Sequence, residues 1–245
     1  MSSALWPVVT GLVPLAEDEI HVWRINLDIK AESAQPLCGL LSEVERTRAN
    51  RFVLEMHRRT WTVARASLRT VLAQYVGASP ESLHFSEGKH GKPALELDTE
   101  LQFNLSHSGS MGLIAVTRER PVGVDIEQIR ADIKLDPLIH SVFSPWEQGE
   151  FDRLPEALRA DGFFNCWSRK EAFIKAVGEG ISFGLARFDV TLAPGEPARL
   201  LRVDREGFRV EDWSLQAIDV GPCYKAAVAA WGAWWSVRCM EFGGS

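Results

Sequence analysis

Residues 122–127, Val-Gly-Val-Asp-Ile-Glu, and residues 167–175, Trp-Ser-Arg-Lys-Glu-Ala-Phe-Ile-Lys, constrain this chain more than any other stretch. Side chains alternate along a strand. Val122, Val124 and Ile126 therefore share one face, and Asp125 and Glu127 share the other. Positions four apart on a helix are neighbours, which pairs Glu171 with Lys175. Trp167, Glu171, Ile174 and Gly178 follow an i, i+4, i+7, i+11 pattern, so Glu171 borders an apolar stripe. A carboxylate there needs a cation or a strong donor, because an unpaired buried charge is very costly. Three carboxylates brought together repel, and a hard divalent cation relieves the repulsion. Oxygen ligands with no Cys or His nearby favour Mg²⁺, with Mn²⁺ as a substitute, over zinc.

The chain has 245 residues, long for one core and short for two full domains. With 46% apolar and 24% charged residues it has the make-up of an ordinary globular protein. The four cysteines, Cys38, Cys166, Cys223 and Cys239, form no C-x-x-C pair, which argues against a zinc or thioredoxin-like site. They call for no disulfide, so a reducing cytoplasm is the expectation. No signal peptide is evident, and no apolar run reaches the ~20 residues that span a bilayer. No membrane partner is expected.

The net charge of -6 argues against a large nucleic-acid footprint, but the charge is unevenly placed. Arg46, Arg48, Arg51, Arg58, Arg59, Arg65 and Arg69 share their segment with one acid, Glu55. That stretch is either the solvated face of a helix or a surface for phosphates or an acidic partner. Arg65 and Arg69 sit on the continuing helix and suit a structural role equally well. Trp61, Trp167 and Trp213 read as core, and Trp231, Trp234 and Trp235 as cover for it.

The pattern predicts a strand within 15–30 and one helix over 42–76. Ser42 and Glu45 form a capping box at its start, and Gly77 is its stop. Strands follow near 82–86, 101–106, 112–117 and 122–127. The order then restarts: helices over 135–152, broken at Ser144-Pro145, and over 162–177, then strands near 187–192, 198–203, 208–218 and 224–230. The expected class is α/β of the α+β kind. Two similar, pseudo-twofold-related subdomains, 1–121 and 122–245, each pack a long helix on a small, mostly antiparallel sheet. Asp125 and Glu127 lie just past the join and Glu171 in the second half, so the acids meet near the interface, a common place for ligands.

Two further motifs suit a phosphate-bearing ligand. His90-Gly91-Lys92-Pro93 is a tight turn that presents a lysine as a point charge. Phe103-Asn104-Leu105-Ser106-His107-Ser108-Gly109 reads as a strand entering a loop of hydroxyl, imidazole and backbone donors. Lys175, one turn after Glu171, is placed to bridge a phosphate and a carboxylate.

Together, Gly-Lys-Pro, Asn-x-Ser-His-Ser, Val-Gly-Val-Asp-Ile-Glu and Trp-Ser-x-Lys-Glu-Ala-x-x-Lys resemble the 4′-phosphopantetheinyl transferase superfamily, in its monomeric surfactin-synthetase-activating type. The resemblance runs from about Arg46 to Val190. It implies transfer of phosphopantetheine from coenzyme A to a serine of an apo acyl or peptidyl carrier protein, as used in fatty acid, polyketide or nonribosomal peptide synthesis. Adenosine 3′,5′-bisphosphate is the by-product. By motif position, Asp125, Glu127 and Glu171 hold Mg²⁺ against the diphosphate, His107 lies by the 3′-phosphate or ribose, and Ser106 belongs to the cofactor-binding set. Gly91 and Lys92 lie near the adenine, His90 and Pro93 belong to the same cofactor-binding turn, and Lys175 contacts the diphosphate. Glu171 is the candidate base, with Asp125 and Lys175 beside it in the catalytic set. Thr60 stands where the family often has arginine, and Glu45 where it has a lysine, so Arg48, Arg58 and Arg59 are the open candidates for the nucleotide. A Mg²⁺-dependent phosphohydrolase or nuclease, or a non-catalytic coenzyme A-binding module, is the alternative. Neither needs the whole set: the first leaves the Ser-His-Ser and Gly-Lys-Pro motifs unused, the second the paired Glu127 and Glu171.

Overall fold

The computed structural model describes residues 5–88, 90–130, 133 and 135–243, the side chain of Ile181 apart. In the first half come β1 (Val8–Val9), β2 (Glu19–Asn26), α1 (Ala31–Ala34), α2 (Glu43–Ala49), α3 (Glu55–Val76), β3 (Phe85–Glu87), β4 (Pro93–Leu95), β5 (Leu101–Ser108) and β6 (Met111–Arg118). The second half holds β7 (Val122–Gln128), α4 (Leu135–Val142), α5 (Pro145–Asp152), α6 (Glu156–Val177), β8 (Phe188–Val190), β9 (Leu200–Val203), β10 (Trp213–Ile218), β11 (Tyr224–Trp231) and β12 (Ser236–Phe242). Each half sets one 22-residue helix, α3 or α6, against a sheet.

The layers follow from strand alternation. Trp23 and Ile25 of β2 and Ile114 and Val116 of β6 pack against Leu68, Val71 and Leu72 of α3. The opposite faces of those strands, Ile20, Val22, Leu113 and Ala115, meet Val122, Val124, Ile126 and Val228 in a core between the sheets. Ala227 and Ala229, on the far face of β11, join Phe173 and Ile174 of α6 in a third core. The order is thus helix, sheet, sheet, helix. The larger sheet runs β1-β12-β2-β6-β5 and the smaller β10-β11-β7.

The expected 42–76 helix is two helices. α2 begins with the predicted capping box, Ser42 with Glu45, and ends at Asn50. Glu45 then salt-bridges Arg65 and Arg69 of α3, the latter at 2.7 Å. In an unbroken helix, residues twenty apart lie about 30 Å apart, so this pairing requires the chain to fold back. The second half repeats the device. Ser144 and Glu147 form a capping box on α5, and Glu147 pairs with Lys170 of α6 at 2.7 Å, both fully buried.

The expected strands are present with shifted ends, and the helix expected over 162–177 begins at Glu156. β12 was unforeseen. It lies between β1 and β2, parallel to both, so residues 236–242 complete the sheet of the first half. Trp231 packs edge-on against Trp213, and Trp235 covers the inter-sheet core. Trp234 departs from the expected cover role: it is 94% exposed, on a residue with φ 67°.

Candidate active site

β7 is the backbone of the site. Its apolar residues fill the inter-sheet core, which turns Gly123, Asp125 and Glu127 toward α6. Gly123 is a contact point: a Cβ there would stand 2.1 Å from Ala172 O and 2.3 Å from Ala176 N. Only glycine lets α6 lie this close, and that approach brings Glu171 and Lys175 over Asp125.

Asp125 is 2% exposed. Its Oδ1 accepts from Lys175 Nζ at 2.6 Å and from Ser106 Oγ at 2.8 Å. Oδ2 is buried without a hydrogen-bond partner. Glu127 accepts from Ser108 Oγ at 2.9 Å and from the Trp167 indole N–H at 3.1 Å, one donor from each half. Burial raises the pKa of Asp125, against the pull of Lys175 and Ser106. Burial and then the charge of Asp125 raise that of Glu127. Burial, then Asp125 and Glu127, raise that of Glu171. The three acids therefore feel one another, and Lys175 is a cation that stabilises each of them.

The Ser-His-Ser motif is not a loop. β5 runs through Ser108, so Asn104, Ser106 and Ser108 stand two apart along one strand. Asn104 Oδ1 accepts from Val124 N at 2.9 Å, Ser106 donates to Asp125 and Ser108 to Glu127. This side-chain ladder ties the first half to β7. The serines thus position carboxylates, while His107 lines a cleft of about 460 Å³. Arg48, Trp61, Arg65, Phe85, Gly91 and Pro93 also line that cleft. Its Arg48 guanidinium lies 5.9 Å from the Trp61 ring centroid.

Lys92 differs from its expected role. Its ammonium donates to Val122 O at 2.9 Å and Lys175 O at 2.8 Å, and burial lowers its pKa to about 8. Lys175 O is one of the last four carbonyls of α6, which lack partners within the helix. Lys92 thus ties the first half to the end of α6 instead of reaching for a phosphate. His90 lies with Gly91, Lys92, Pro93 and Lys175 around a second, smaller hollow of about 240 Å³. Arg59 lines a separate groove with Arg46, Arg58 and Cys38, away from His107. Of the nucleotide candidates, only Arg48 reaches the His107 cleft. Arg65 and Arg69 are held by Glu45, and Arg69 also donates to Pro80 O and Leu83 O.

The donor set suits a hard divalent cation: all oxygens, three mutually repelling acids, and one buried oxygen without a partner. Among the described residues no three His, Cys, Asp or Glu side chains are gathered tightly enough to share a metal ion as they stand.

A cleft lined with arginines, glutamates and aromatic rings, beside three acids on facing elements, is an arrangement that suits a phosphate-bearing ligand. Comparisons with known proteins make this particular. Residues 121–229 match the family model described as 4′-phosphopantetheinyl transferase superfamily, and residues 30–119 the 4′-phosphopantetheinyl transferase N-terminal model. The chain is 38% identical to 4′-phosphopantetheinyl transferase HetI of Nostoc sp. over 231 residues, 93% of this chain and 94% of that one. It is 26% identical to 4′-phosphopantetheinyl transferase Sfp of Bacillus subtilis, over 86% of this chain and 92% of that one. Among solved structures it is similar to the holo-[acyl-carrier-protein] synthase of Thermotoga maritima, with a TM-score of 0.37 and 18% identity over 46% of this chain and 62% of that one. The chain belongs to the 4′-phosphopantetheinyl transferase superfamily. It is a phosphopantetheinyl transferase, an enzyme that activates carrier proteins. No described helix is long and apolar enough to cross a membrane.

Proposed function

We propose that the chain moves the phosphopantetheine arm of coenzyme A to a serine hydroxyl of an apo acyl or peptidyl carrier protein, with Mg²⁺ held by Asp125, Glu127 and Glu171. The observation that carries the reading is Asp125: deeply buried, flanked by two further acids, with one oxygen on Lys175 and the other unpartnered. In the reaction the serine Oγ–P bond forms and the bond from that phosphorus to the bridging oxygen of the diphosphate breaks. Adenosine 3′,5′-bisphosphate leaves.

Bound Mg²⁺ would neutralise charge on the diphosphate oxygens and orient the phosphorus for in-line attack. The remaining work falls to the chain. Glu171, its pKa raised by burial and by its acidic neighbours, takes the proton of the serine hydroxyl. Lys175 steadies the diphosphate, where charge grows on the leaving oxygen. Arg48 and His107, in the cleft with Trp61 and Phe85, receive the nucleotide end. Ser106, Ser108 and Trp167 fix the carboxylates, and the exposed arginines Arg51 and Arg58 meet the acidic surface of the carrier.

The test is the intact mass of an apo carrier protein incubated with the enzyme, coenzyme A and Mg²⁺. A gain of one phosphopantetheine, abolished by EDTA and restored by Mg²⁺ or Mn²⁺, is expected. Release of phosphate without modification of the carrier would support a phosphohydrolase instead. Full turnover in excess chelator would remove the metal from the reading.

A further inference from the structure

In the free protein one cation is seated at the centre of the acidic cluster. Lys175 Nζ lies 2.6 Å from Asp125 Oδ1 and 3.0 Å from Ser106 Oγ. Among the described residues no other Lys, Arg or His forms an ion pair with these acids. Both oxygens of Glu127 already have donors, while Asp125 Oδ2 has none. A divalent cation drawn to Asp125 would therefore arrive beside an ammonium held on the other oxygen of the same carboxylate, and the two charges repel.

The lysine has somewhere to go. Its side chain is 28% exposed, against 3% for that of Asp125, and it borders the hollow that joins His90, Gly91 and Gly178. Four methylenes let the ammonium swing outward while the backbone of α6 stays pinned by Lys92. A diphosphate at the mouth of the cluster is an anion that can receive the ammonium and so leave Asp125 free for a metal.

We propose that Lys175 stands in for the divalent cation in the free protein, so that metal and diphosphate bind with strong positive coupling, the diphosphate drawing Lys175 off Asp125. This rests on the site assignment of the preceding section and adds to it an order of events. Metal alone binds weakly, and metal with coenzyme A binds tightly. By linkage the same factor tightens coenzyme A when metal is present.

The experiment follows free Mn²⁺ by electron paramagnetic resonance at about pH 8, above the ordinary carboxylate range. Wild type, Lys175→Met and Lys175→Arg are titrated alone, with coenzyme A, and with adenosine 3′,5′-bisphosphate, which carries a nucleotide but no diphosphate. Wild type should bind Mn²⁺ roughly 5–150-fold more tightly with coenzyme A, the usual range of coupling between sites, and scarcely more tightly with the bisphosphate. Lys175→Met should bind Mn²⁺ alone more tightly than wild type, with little further gain from coenzyme A. Lys175→Arg should keep the wild-type pattern, and circular dichroism checks that each variant is folded. Equal Mn²⁺ affinity with and without coenzyme A in wild type would overturn the proposal. So would a folded Lys175→Met that binds Mn²⁺ alone no better than wild type. No carrier protein is present, so this outcome is separate from the mass-gain test of the transfer reaction.

Discussion

The sharpest test of the architecture is a methyl group. In Gly123→Ala the new Cβ would lie 2.1 Å from Ala172 O, 2.3 Å from Ala176 N and 2.8 Å from the Lys175 carbonyl carbon. Ordinary contact begins near 3.4 Å, so about 1.3 Å of room is missing. All three obstacles are backbone of α6, and no rotamer change relieves them. The helix must retreat from β7, carrying Glu171 and Lys175 away from Asp125. Overpacking of this kind costs roughly 1–3 kcal/mol. For a chain of this length each kcal/mol lowers Tm by roughly 2–4 °C, so a drop of roughly 2–12 °C is expected. A displacement near 1 Å at a reacting group costs on the order of 10²-fold in rate. Transfer to the carrier, followed by intact mass, should therefore fall far more than the residual fold explains. The control is Gly149→Ala on α5, where nothing lies within 4 Å of a Cβ. It should be neutral or stabilising by about 0.5–1 kcal/mol, as alanine replaces glycine in a helix. Wild-type Tm and rate in Gly123→Ala would refute the close approach of α6 to β7.

The remaining expectations are simpler. Glu171→Gln should lower kcat by roughly 10²–10⁴-fold while calorimetric coenzyme A affinity changes little; a wild-type single-turnover rate would remove Glu171 as the base. Arg51→Glu or Arg58→Glu should raise the carrier KM more than the coenzyme A KM, in a salt-dependent way, whereas Arg48→Glu should do the reverse. Lys170→Met leaves Glu147 buried without its cation and should cost about 3–5 kcal/mol in a denaturant melt; an unchanged midpoint would mean that the pair does not form. Burial works against the Glu45 carboxylate, but the Ser42 N–H and then Arg65 and Arg69 outweigh it and hold its pKa below the ordinary 4.5. Its contribution is full above that value and is lost as pH falls through the lower folded value. The Tm gap between wild type and Glu45→Gln should therefore narrow on acidification below pH 4.5, and a gap independent of pH would contradict this.

Local pattern alone determined a good deal here. Alternation in residues 122–127 separates core from carboxylate, and the four-residue spacing in 167–175 puts Glu171 beside Lys175. The capping box at Ser42 and Glu45 and the left-handed Gly77 mark helix ends, whereas Gly178, read into the stripe of α6, is the left-handed residue that ends it. These signals survive because each depends on neighbours within one turn or one strand. The same kind of signal, Ser144 with Glu147 on a second short helix, was open to the same reading and would have disclosed the repeat.

What the sequence alone leaves undetermined is every partner distant along the chain. Glu45 meets Arg65 and Arg69 only because the expected long helix breaks and folds back. The Ser-His-Ser segment reads as a ligand loop until β5 is laid beside β7, where two of its three polar side chains turn out to hold the acids. Lys92, alone in its turn, looks like a phosphate ligand, yet the packing of two halves spends its charge on Val122 O and Lys175 O. The place of β12 between β1 and β2 has no local cause at all. Charge and polarity tell which groups need partners. Burial and the closing of the two halves on one another decide which partners they get.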